Sequence, residues 1–246
     1  MKVIELIKII EDLIPKELAL KDDKVGYLQQ NSNINIEKIK VVMDLYPKDD
    51  LNSNENELFI THHHPLFIPK TPTYVIHSNW DVISGGANDA LAKILDLKVL
   101  DNFDKKNGIG RICSCQLNFK EFLKLVSEKL SLPNINVVNP LDDDVVPDKI
   151  AIVSGFGLSN MEYVKLVKKK NVSLFLSGDL IHKVAILGGD LDICLIDANH
   201  HKSEIPGLIE LYNLISTIGL DTELIIQNIP WKTINFENKD IFNRMG

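Results

Sequence analysis

Short apolar runs, each closed by turn residues and separated by stretches of helical spacing, constrain the fold of this chain more than any other feature. The runs at 39–45, 58–60, 74–78, 149–153, 172–176, 191–196 and 222–226 read as buried strands. Between them lie segments with apolar residues at helical spacing. The first, over 3–14, stops at Pro15, and others cover 88–95, 161–170 and 206–218. Asn118 and Glu121 stand as the N-cap and N3 residues of a capping box, which opens a helix over 122–130. Strands alternating with helices of this length predict an α/β protein. Turn residues cluster at 103–110, so the expected division is a first α/β lobe over 1–105 and a second over 106–246. A chain of 246 residues is long enough for one large domain or for two interlocked lobes with real cores.

Polar residues gather where these strands end, and in open α/β sheets ligands bind outside the carboxyl ends of strands. Four groups stand out: His62-His63-His64; His77 with Asp81; Ser177-Gly178-Asp179 with His182; and Asp197 through Glu204, holding His200 and His201. All seven histidines of the chain fall in these groups, unlike histidines scattered over a solvated surface. Neutral imidazoles beside carboxylates suit a two-metal site with mixed nitrogen and oxygen ligation, open to zinc, iron, manganese or a similar divalent ion. In the last group Ser203 reads as an N-cap with Pro206 in the first helical turn. That places His200 in a loop and Glu204 in the first turn. Each piece has a bland alternative: a histidine pair on a surface loop, or Ser-Gly-Asp as a turn and helix cap. Their joint occurrence at strand ends favours metal, held in the cleft between the two lobes.

Composition removes several function classes. A net charge of -7 argues against a protein that coats polyanions. Lys165, Lys168, Lys169 and Lys170 read as a solvated helix end whose charges complement the helix dipole. Three cysteines, with no C-x-x-C pair among them, predict a reduced, cytoplasmic protein, and Cys113 and Cys115 read as packing residues. Charges run through the first eight residues, so neither a signal peptide nor a membrane span is expected there.

The segments T-H-H-H-P-L-F, H-S-N-W-D followed by G-G-A-N-D-A-L, G-I-G-R-I, S-G-D and D-A-N-H-H-K-S-E-I-P-G-L occur in the order seen in the Nif-three-like proteins, the GTP cyclohydrolase I type 2 homolog family. The resemblance runs from about residue 22, where D-D-K-V-G-Y-L is similar to the family's W-D-N-x-G-L, to about residue 210. It implies that the family's histidine pair before the proline is His63 and His64, with His62 standing where the family has threonine or a hydrophobic residue. Asp81, His200 and Glu204 complete the implied ligand set for two divalent ions, with Glu204 touching both. The resemblance also implies a two-lobed α/β protein assembled as a hexameric ring. Metal-assisted hydrolysis of a nucleotide-like substrate such as GTP follows from the family label, although no G-x-x-x-x-G-K-[ST] fingerprint stands in the sequence. His77 or His201 would then shuttle a proton or orient a ligand from behind. The competing expectations are a non-catalytic regulatory or nucleic-acid-binding ring, and a metal-carrying protein without turnover.

Overall fold

The computed structural model describes residues 1–31 and 33–232; residues 233–246 of the expected second lobe lie outside them. The first half of the chain forms α1 (Val3–Leu13), β1 (Gly26–Tyr27), β2 (Lys38–Val42), α2 (Pro47–Leu51), β3 (Glu57–Thr61), β4 (Thr73–Val75), α3 (Ser78–Val82) and α4 (Ala87–Ile94). Next come β5 (Lys98–Asn102), β6 (Arg111–Ser114), α5 (Phe119–Lys129), β7 (Asn136–Val138), β8 (Ile150–Ile152), α6 (Met161–Lys169) and β9 (Leu174–Ser177). The last elements among the described residues are α7 (His182–Asp190), β10 (Cys194–Asp197), α8 (His200–Ser216) and β11 (Asp221–Ile225).

Two sheets result, and the fold is mixed α/β. One has the order β1-β4-β3-β2-β11 and the other β5-β6-β8-β9-β10-β7. In the first, β11, β2, β3 and β4 run parallel; in the second, β8, β9 and β10 do. Parallel central strands with near-continuous apolar runs are buried on both faces, as here. On the second sheet alternation sorts the side chains. Ile150, Ile152, Leu174, Leu176 and Cys194 pack with Phe119, Phe122 and Val126 of α5. Ala151, Phe175 and Leu195 pack on the other face with Val164 and Val167 of α6 and Val184 of α7. Cys113, Cys115 and Cys194 are buried and free. The capping box at Asn118 and Glu121 closes the start of α5 in both directions.

The first sheet is covered by α1, through Val3, Leu6 and Ile10, and by α8, through Leu208, Leu211 and Ile215. Because β11 returns to lie beside β2, a strand from the second half of the chain completes the sheet that the first half started. Trp80 of α3 donates its indole N–H to the Gly207 carbonyl of α8 at 3.0 Å, which fixes α8 against the first half of the chain. A second tie comes from Arg111 at the start of β6. Its buried guanidinium grips both oxygens of Asp89 on α4, at 2.6 and 3.0 Å, and bonds the Val82 and Ile83 carbonyls at the end of α3. No helix among the described residues is long and apolar enough to cross a membrane.

Candidate metal centre

The carboxyl ends of β2, β3 and β4 and those of β8, β9 and β10 converge on one place, and four of the chain's seven histidines, His62, His63, His77 and His200, gather there. His62 and His63 follow β3 directly. The Thr61 hydroxyl bonds the Met43 carbonyl at 3.1 Å and the His63 carbonyl at 2.9 Å, so the chain curls as it leaves the sheet and both rings enter the cluster. Ring centroids lie 5.0 Å apart for His62 and His63, 5.2 Å for His62 and His77, and 5.2 Å for His63 and His200. Asp81, on α3, and Glu204, on α8, are both buried. The Asp81 Oδ1 atom lies 3.8 Å from His62 Nε2. Glu204 is central: His62 Nε2 lies 3.6 Å from its Oε1, His200 Nε2 3.2 Å from its Oε1, and His63 Nε2 3.2 Å from its Oε2.

All four imidazoles are held from behind by the same ring nitrogen. The Nδ1 of His62 lies 2.9 Å from the Ile76 carbonyl; a carbonyl can only accept, so Nδ1 carries the hydrogen. His63 Nδ1 meets Asp44 at 2.9 Å, His77 Nδ1 meets Asp23 at 3.0 Å, and His200 Nδ1 meets Asp179 at 2.7 Å. In its neutral form each ring therefore turns its Nε2 lone pair into the cluster, the arrangement by which carbonyl and carboxylate partners orient metal-binding histidines. His63 Nε2 and His200 Nε2 face one another at 3.3 Å, a placement that asks for a cation or a proton between them. His62 Nε2, Asp81 Oδ1 and Glu204 Oε2 are buried without a hydrogen-bond partner. Orphaned acceptors are costly to bury, and these three are of the kind that a cation would satisfy.

The titration of these groups expresses the same demand for positive charge. Burial alone lowers the basicity of His63, but Asp44 and Glu204 outweigh it and hold the ring up at about 10. For His200, burial is likewise overcome by Glu204 and Asp179, to about 9. Burial pushes the Asp81 carboxyl up to about 7. Burial also works against ionised Glu204, yet the rings of His200, His62 and His63 hold its carboxyl well below the usual carboxylate range.

Two ligand-competent groups share His63: His62, His63 and His77, and His63, His200 and Glu204. The structure thus brings together His63, Asp81, His200 and Glu204 of the implied ligand set, with His62 and His77 beside them. His64 is exposed and belongs to neither group, and exposed His182 opens α7 away from both. His201 is buried with both ring nitrogens unpaired, outside both groups. The expectation that His200 sits in a loop with Ser203 as the cap is corrected. α8 begins at His200, and the Asn199 side chain caps it by accepting from the Lys202 N–H at 3.1 Å. His200 and Glu204 are therefore one turn apart on a single helical face. Pro206 is accommodated inside the helix. Two glycines make room for this turn. A side chain at Gly155, whose φ is +79°, would collide with Glu204 Oε1, and one at Gly178 with the His200 backbone.

Sequence reasoning passed over Asp23 and Asp44 as partners of the histidines and read Asp179 as a turn residue. A usable signal existed for Asp44 and Asp179, since each is an acidic residue just past the end of a parallel strand. For Asp23, in the loop before β1, the signal was its place under the aspartate of the W-D-N-x-G-L motif.

The sequence profile of the family Duf34/NIF3 (NGG1p interacting factor 3) matches residues 1–74 and 70–230. A Methanothermobacter thermautotrophicus protein named GTP cyclohydrolase 1 type 2 homolog is 40% identical over 226 residues, covering 92% of this chain and 93% of that one. A Methanocaldococcus jannaschii protein of the same name is 32% identical, covering 92% of this chain and 98% of its own. Among solved structures, reduced HcgD from M. jannaschii superposes with a TM-score of 0.79 at 30% identity, covering 93% and 98% of the two chains. A Bacillus cereus protein related to NIF3 shares the fold, with a TM-score of 0.77 at 16% identity over 95% of this chain and 99% of that one.

Proposed function

Since this chain belongs to the Duf34/NIF3 family, whose named relatives are GTP cyclohydrolase 1 type 2 homologs, we propose that it is a metal-dependent hydrolase built on a dinuclear divalent centre. His62, His63, His77, Asp81, His200 and Glu204 would hold the ions, with His62 taking the place that family resemblance gives to His64. The observation that carries this reading is the set of inward-facing Nε2 atoms, each braced at Nδ1, around buried Asp81 and Glu204 acceptors that lack partners. When bound, such ions acidify coordinated water so that hydroxide forms near neutral pH. Asp81 and Glu204 neutralise part of the metal charge. Asp23, Asp44 and Asp179 keep their histidines in the binding tautomer. The nucleotide-like substrate rests on the relatives' names, and a hexameric ring is the assembly we propose with it.

Elemental analysis of chelator-stripped and reloaded protein tests the centre, with about two divalent ions per chain expected. A panel of nucleotides and phosphoesters, run with and without metal, tests the hydrolase. Loading without metal-dependent turnover of any of them would leave a metal-binding protein and remove the enzyme.

A further inference from the structure

Behind the two carboxylates of the centre a buried carboxamide joins the two halves of the chain. Asn88, on α4, is fully buried. Its Nδ2 donates to the backbone carbonyl of Asp81 at 2.8 Å, and its Oδ1 accepts from the backbone N–H of Ser154 at 2.9 Å. The first bond holds the residue whose carboxylate enters the cluster from the first half of the chain. The second holds the turn after β8 that supports Glu204. In that turn the Ser154 hydroxyl donates to the Ser203 carbonyl at 3.1 Å, and the Gly155 N–H donates to the Ser203 hydroxyl at 2.9 Å. The Gly155 α-carbon lies so close to Glu204 Oε1 that no side chain fits between them.

We propose that Asn88 is a positioning residue for the metal centre. Its side chain sets the placement of Asp81 against Glu204 and thereby the affinity for metal. The inference rests on the metal reading given above. A carboxamide suits the task because one end donates while the other accepts. An ionised aspartate could keep only the bond from Ser154, and alanine keeps neither. Asn88 would touch no ion, so its influence would pass wholly through the two backbones it joins. Removal of such indirect supports weakens metal binding by about 10–100-fold in metal sites generally.

The experiment titrates Co²⁺ into chelator-stripped wild type, Asn88→Asp, Asn88→Ala and, as a control, Leu130→Ala. Visible absorption and competition with a chelator give affinity, and thermal midpoints of the metal-free proteins give stability. Leu130 is buried in the core beneath α5, outside the ligand cluster. The expected result is about 10–100-fold weaker Co²⁺ binding in both Asn88 variants, with an altered absorption band. Leu130→Ala should lose thermal stability yet keep wild-type affinity and spectrum. Wild-type affinity in a folded Asn88 variant overturns the proposal, as does equal weakening in Leu130→Ala, which would make affinity follow stability alone. A wild type that takes up no Co²⁺ overturns the metal reading and this inference with it, a failure recognisable because it precedes any substitution.

Discussion

The two sheets deliver their side chains to the centre by different means. From the five-stranded sheet, His62, His63 and His77 come directly off strand ends on irregular backbone, two of them braced by Asp44 and Asp23 from other loops. From the six-stranded sheet, no strand end itself supplies a side chain to the cluster. Gly155 and Gly178 after β8 and β9 instead clear space for the first turn of α8, which presents His200 and Glu204 at a fixed one-turn spacing. The loop side owes its geometry to polar braces, the helix side to backbone packing. Substitutions on the two sides should therefore fail differently.

The largest effect is expected at Glu204, where both sides meet. Glu204→Ala should lower the metal content towards one ion or none while circular dichroism stays native. Elemental analysis equal to wild type would show that the two sides need no shared carboxylate. Next comes the register of the loop side: His62→Ala should strip metal, whereas His64→Ala, at an exposed position, should leave metal content as it was. The reverse pattern would shift the centre by one residue. Smaller are the braces, for which Asp44→Asn and Asp179→Asn should each weaken metal binding by about 10–100-fold, measured by chelator competition. A much larger loss at Asp44 than at Asp179 would sharpen the contrast, since His200 is also fixed by its helix. Least for metal, Leu211→Ala under α8 should cost about 2–5 kcal/mol of unfolding free energy in urea. Its effect on affinity should be slight so long as the first turn of α8 holds.

Much of this was legible in the sequence because parallel strands announce themselves by unbroken apolar runs and the histidines sit where those runs stop. The start of α8 was misplaced because Pro206 reads as a first-turn residue, while the true cap, Asn199, is recognised by its bond to Lys202. Strand β5 escaped notice for a different reason. It is an edge strand with all five residues exposed, so it has no buried face to impose alternation. α7 contains Gly188-Gly189, which weakens its helical signal. The His–Asp pairs join residues 19, 54 and 21 positions apart, and nothing local in a sequence records such partnerships.

The return of β11 to the sheet begun by β2 has a consequence for biosynthesis. His63 waits through 137 further residues for His200, and the sheet on which it stands gains its last strand later still. The facing of His63 and His200 can therefore form only after most of the chain has been made, although His62, His63 and His77 are all present by residue 77.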